Sequence, residues 1–220
     1  MKSIITAIIL VSSLVACNEK NIVDYSLCDN VGEIVGKTEY GVKDGVPTIK
    51  VLVDYNIDPF FDIVIRQSLS EWSENTNCLN WTLEYEDQSN KEYIYNRFVK
   101  HEDNWTVHFM FGPTKADYPN HHTKASEWVG YGESFNWKDN SGNFVFHNGI
   151  AYMLSDYNNR DTGRVIRHEL GHAFGLDHND DDFTIMGTSE DVHMRHVTSG
   201  DVKAWKKYWG CNNGLQFSKK

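Results

Sequence analysis

Histidines stand at 168, 172 and 178, with a glycine at 175 and a glutamate directly after the first of them. No other feature constrains the fold as tightly. Residues four apart on an α-helix stack about one turn apart on one face, so His168 and His172 can aim ring nitrogens at one point if the segment is helical. A helix continued past residue 175 would carry position 178 away along its axis. A glycine can take a left-handed conformation, end the helix and turn the chain back. The spacing therefore predicts a helix carrying Val165, Ile166, His168, Glu169, Leu170, His172 and Ala173, a stop at Gly175, and a third imidazole returned to the first two.

Three converging imidazoles with one position left open form the donor set of hydrolytic zinc, which needs three protein ligands and room for water. The expected ligands of one catalytic Zn2+ are His168, His172 and His178. Glu169, beside the open position, is the expected general base: it takes a proton from a zinc-activated water and later gives it to the leaving amine. Zinc polarises the carbonyl as well, so no nucleophilic side chain is needed and hydrolysis should be direct. Five such positions coincide by chance in a chain of this size with a probability on the order of 10⁻⁴. Glu190 is the runner-up third ligand, at nearly the distance used by thermolysin-like enzymes, but it leaves Gly175 and His178 unexplained.

The segment from His168 to His178 fits HExxHxxGxxH in full and so resembles the metzincins. Thr184-Ile185-Met186 with Gly187 looks like that family's Met-turn, which places a methionine, here Met186, beneath the zinc. The closest likeness is to matrixin-like bacterial proteins, through Gly175-Leu176-Asp177-His178 and a last helix that starts Thr198-Ser199-Gly200-Asp201 and ends Tyr208-Trp209-Gly210. The resemblance implies an α+β zincin fold, with a twisted mixed sheet of about five strands, an active-site helix, a backing helix and a C-terminal helix. It also implies a zinc endopeptidase acting on protein or peptide substrates. Thr188 stands where astacins and serralysins place a tyrosine ligand, and no cysteine-switch propeptide is present, Cys28 lying in Ser-Leu-Cys-Asp. The competing class is a non-catalytic surface lipoprotein that binds zinc; an intact Glu169 disfavours it, because a structural site closes with a fourth ligand instead.

The chain begins with Met1 and Lys2 before an apolar run that ends at Ala16, too short to span a bilayer permanently, so residues 1–16 read as an export signal. Leu14-Val15-Ala16-Cys17 resembles the bacterial lipobox, which implies lipidation of Cys17 and a cell-envelope location, with Asn18 pointing to the outer membrane in a diderm host. Residues 17–45 read as a tether, 46–211 as the catalytic domain and 212–220 as a tail. Cys28, Cys78 and Cys211 remain for one disulfide in an oxidising compartment, and the sequence does not choose the pair.

Within the domain, residues 48–54 alternate as a strand. Asp58 and Pro59 open a helix carrying Phe60, Ile63, Val64, Gln67, Ser68, Glu71 and Trp72. Residues 81–86, 105–111, 129–135 and 144–154 are further strands, with breaks expected at 140–142 and at Gly149. Residues 129–135 are a candidate edge strand that an extended peptide could join. The charged, tyrosine-rich stretch between 86 and 105 has no assignable period. Asp161 or Thr162 should cap the histidine helix, and Thr198 or Ser199 the last one, with Val202, Trp205 and Tyr208 on its apolar side.

The formal charge of −10 argues against a nucleic-acid partner. Asp117, His121 and His122, with His108 and His147, are candidates for a second zinc, and Asp180-Asp181-Asp182 for calcium. His193 and His196 are candidate substrate contacts. The oligomeric state is not legible.

Overall fold

The structure is a computed structural model that describes residues 48–112, 129–138, 144–154, 161–179, 183–187 and 194–209. The expected export signal, the candidate lipidation site Cys17 and the expected tether lie outside these residues. So do Asp117, His121, His122, the aspartates at 180–182, Thr188, Glu190, His193, the turn at 140–142 and the tail. Among the described residues no helix is long and apolar enough to cross a membrane.

Five strands form one mixed sheet: β1 (Thr48–Asp54), β2 (Asn80–Glu86), β3 (Thr106–Gly112), β4 (Gly130–Lys138) and β5 (Phe144–Leu154), ordered β2-β1-β3-β5-β4. β4 alone runs antiparallel, on β5. Four helices complete the described fold: α1 (Pro59–Thr76), α2 (Lys91–Val99), α3 (Thr162–Ala173) and α4 (Ser199–Trp209).

The Asp58 carboxylate accepts the Phe60 amide at 2.8 Å, Pro59 opens α1, and Asn77 ends it in the left-handed region with φ 54°. The buried stripe is Phe61, Val64, Ile65, Ser68, Leu69 and Trp72. Phe60 and Ile63, expected on that face, are instead about half exposed, because the stripe that meets the sheet is turned by one residue. Trp72, Trp205 and Trp209 fill the core that α1, α3 and α4 share with one sheet face; Trp205 lies 5.4 Å from Trp72 and 5.3 Å from Trp209 by ring centroid.

The unassigned tyrosine-rich stretch is α2, capped by Asn90, which accepts the Tyr93 amide at 2.9 Å. It buries Ile94 and Phe98 against Met110, Ile150 and Tyr152 on a second, smaller cluster. Gly149 does not break β5. A side chain there would run into the Ala173 carbonyl, so the glycine lets the end of α3 lie against the strand. Cys78 is disulfide-bonded to a partner outside the described residues, and its Sγ accepts the Trp205 indole N–H at 3.2 Å.

Candidate metal centre

The candidate metal centre is built by α3 and the two turns beyond it. Asp161 is the N-cap of α3 without a side-chain cap bond, and Thr162 lies inside the helix. At the other end Gly175, with φ +100°, returns its amide to the His172 carbonyl at 2.8 Å, and Leu176 returns its own to Gly171 at 2.9 Å. These are the paired bonds of a glycine-terminated helix. Tyr208 occupies the space where a side chain at 175 would stand. The chain therefore doubles back, and the Nε2 atoms of His168, His172 and His178 meet at 3.0 Å (168–172), 3.1 Å (172–178) and 3.2 Å (168–178).

Backbone carbonyls set the tautomers. His168 Nδ1 donates to the Ile185 carbonyl at 2.7 Å, and His172 Nδ1 to the Leu176 carbonyl at 2.7 Å. With those protons on Nδ1, the Nε2 atoms of both rings present lone pairs to one another. Burial holds His168 down to about 4 and His172 well below its ordinary value, and it lowers His178 too, against the pull of Asp177. Protons therefore do not fill the gap near neutral pH, and crowded lone pairs are relieved by a cation. Tetrahedral zinc with bonds of about 2.0–2.1 Å would hold its nitrogens roughly 3.3 Å apart, close to the observed triangle. The donor set fits a divalent transition metal such as zinc, and these are the only three convergent ligand groups among the described residues.

The turn carrying Met186 braces this site. Asn179 donates its amide to the Met186 carbonyl at 2.8 Å and bridges Gly187, which ties the arm bearing His178 to the turn. Met186 is fully buried, with Sδ against Gly171 of α3. The sequence did not mark out Asp201. From the first turn of α4 its carboxylate accepts the amides of Ile185 (2.9 Å), Met186 (3.2 Å) and Thr198 (2.8 Å) and the Thr198 hydroxyl (2.7 Å). Burial pushes it up to about 6, while those donors favour the ionised form. Thr198 caps α4, and Thr198-x-x-Asp201 is a capping-box pattern, which is the signal that could have found this residue.

Glu169 is buried beneath β4. A Cβ built on Gly130 would lie 2.6 Å from Glu169 Oε1, and one on Gly132 would meet the Glu169 carbonyl and the His172 Cβ. Two glycines two residues apart point to the same face and let the edge strand lie on the helix; sequence reading passed over both. Burial pushes the Glu169 carboxyl up to about 8 against the opposing effect of Arg164, and a divalent cation would draw it down.

The other candidates fall elsewhere. His108 is fully buried between Glu86 and Asp103, and His147 lies against His101 at 5.2 Å by ring centroid; neither joins a metal-binding group among the described residues. His196 sits 3.2 Å from Glu71 of α1, which also accepts Arg167 Nε at 2.6 Å and the Val197 amide at 2.6 Å. Glu71 thus ties the segment entering α4 to the helix that carries His168 and His172.

No protein-family model matches the sequence, and no curated protein matches it either. Among solved structures the chain is similar to archaemetzincin from Methanopyrus kandleri, at 12% identity and a TM-score of 0.43, over 77% of this chain and 96% of that one. It is also similar to high choriolytic enzyme 1, a hatching enzyme zinc-protease from Oryzias latipes, the medaka fish, at 10% identity and a TM-score of 0.45, over 83% of this chain and all of that one. Likeness of this extent leaves any functional reading resting on the geometry of the three histidines and Glu169.

Proposed function

We propose that the chain is a zinc-dependent endopeptidase. The observation that carries this reading is the convergence of His168, His172 and His178 Nε2 atoms within 3.2 Å, with Glu169 adjoining the first ligand on the same helix. When bound, zinc supplies a Lewis acid that polarises a carbonyl and acidifies water. The Glu169 carboxylate accepts the proton of the attacking water and delivers it to the amine that leaves. The carbonyls of Ile185 and Leu176 keep the first two imidazoles in the tautomer that leaves Nε2 free. Gly130 and Gly132 bring an edge strand over the carboxylate, and an extended peptide could add to that edge beside the site.

The test is cleavage of casein and of a quenched peptide by folded, zinc-loaded protein. Chelation should abolish cleavage, added zinc should restore it, and Glu169→Gln should lower kcat by about 10³-fold or more while zinc content stays near one per chain. Stoichiometric zinc with no cleavage of any substrate would favour the non-catalytic zinc-binding module.

A further inference from the structure

Arg164 stands on α3 one turn before His168, in line with His168 and His172 at steps of four residues. It therefore lies on the metal-facing stripe of the helix, about 6 Å along the axis from the first ligand. Its neighbour Arg167 is fully engaged, with Nε on Glu71 at 2.6 Å and Nη1 on the Gly163 carbonyl at 2.8 Å. Arg164 differs: it is only partly exposed, yet among the described residues no carboxylate or carbonyl pairs with its guanidinium and no ring stacks on it.

A partly desolvated guanidinium without a partner is costly for a folded chain, whereas a planar fork of donors suits a carboxylate. In a protein of formal charge −10, a cation on this stripe that no described residue pairs is also set against the sign of the net charge. We infer that Arg164 is a specificity-determining residue, binding a carboxylate of the substrate within a residue or two of the cut bond. The carboxylate belongs either to an Asp or Glu side chain or to a free C-terminus, and both present the same planar pair of oxygens. This deepens the peptidase reading and rests on it for the identity of the substrate.

The experiment has two arms. In the first, zinc-loaded protein is given matched quenched peptides carrying Glu or Gln at each position flanking the scissile bond, and a pair ending in a free acid or an amide. The Glu:Gln or acid:amide ratio of kcat/KM should be about tenfold at low salt, and the pair that shows it identifies the source of the carboxylate. Arg164→Gln should bring that ratio to near one, and Arg164→Lys should restore part of it. Because each ratio is taken within one variant, a general change in rate cancels. In the second arm, calorimetry measures binding of the same peptides to Glu169→Gln, with and without Arg164→Gln, so the readout does not require turnover. Equal affinity for acidic and neutral peptides, or a preference that survives Arg164→Gln, overturns the inference while leaving the peptidase reading intact. Peptides that bind with the expected preference but are never cleaved sink the peptidase reading and leave the role of Arg164 standing.

Discussion

Asp201 reaches from the first turn of α4 to two amides of the turn that carries Met186, and the carbonyl between those amides, that of Ile185, orients His168. A carboxylate is acceptor-only, which suits a site where three amides and a hydroxyl all donate. Asp201→Asn replaces one acceptor oxygen by an amide that faces donors, leaving at least one buried N–H unmet. Unfolding in urea should show a loss of about 2–3 kcal/mol, the cost of an unsatisfied buried group bonded to a charge. Zinc affinity, read by competition with a chromophoric chelator, should fall about tenfold or more, as when the partner that orients a metal-ligating histidine is lost. Undiminished affinity would show that Ile185 holds His168 without help from α4. The capping pattern at 198 and 201 is legible in sequence, but the further reach to residues 185 and 186 is not, because tertiary packing alone brings the two turns together.

At the scale of elements, the sequence revealed most where one signal dominated. The β-branched alternation of β1, the Asp58-Pro59 start of α1 and the glycine terminator of α3 are each decided within a few residues, and each lies where expected. α2 was not legible because only Ile94 and Phe98 of its nine residues are buried, too few to mark a helical period. Gly149 misled for the opposite reason: glycine weakens a strand locally, yet here the neighbouring helix requires it. The same reasoning applies to β4, expected as an edge strand, whose Gly130 and Gly132 set how near it lies to Glu169 and His172. Gly132→Ala places a methyl group against the Glu169 backbone, which cannot swing aside as a flexible side chain can. Strand and helix must separate, at an expected cost of about 1–3 kcal/mol in denaturant unfolding, with kcat/KM falling as the cleft widens. An alanine variant with unchanged stability and rate would mean that β4 lies farther from α3 than described.

Across the whole molecule the two sheet faces are held differently. One face buries Trp72, Trp205 and Trp209 beneath α1, α3 and α4; among the described residues the other has only the small cluster under α2, supplemented by a charged quartet of Glu86, Arg97, Asp103 and His108. His108 Nδ1 lies 2.8 Å from Glu86 and Nε2 lies 3.1 Å from Asp103. Both ring nitrogens must carry hydrogens, since a neutral ring would set a lone pair against a carboxylate. The quartet is then two cations and two anions. Burial works against the charged ring, but the bonds to Asp103 and Glu86 outweigh it and raise His108 above its ordinary 6.5. The Asp103 carboxyl is held below its ordinary value chiefly by His108, and Glu86 is lowered by His108 and Arg97 despite its burial. A raised histidine contributes stability that is complete below 6.5 and lost as pH rises through the folded value. Lowered carboxyls contribute stability that is complete above their ordinary values, 4.5 for Glu86 and 3.8 for Asp103, and lost as pH falls through the folded ones. The quartet is therefore at full strength between pH 4.5 and 6.5, the ordinary values of Glu86 and His108. Replacing the imidazole in His108→Gln removes the ring's share, so the stability difference from the parent should be largest in that window and shrink as pH rises through the folded value of His108. Denaturant unfolding of both proteins at matched zinc cancels protonation of His168, His172 and His178, which is common to the two. A difference that instead grows as pH rises through 6.5 would show that His108 is neutral in the fold.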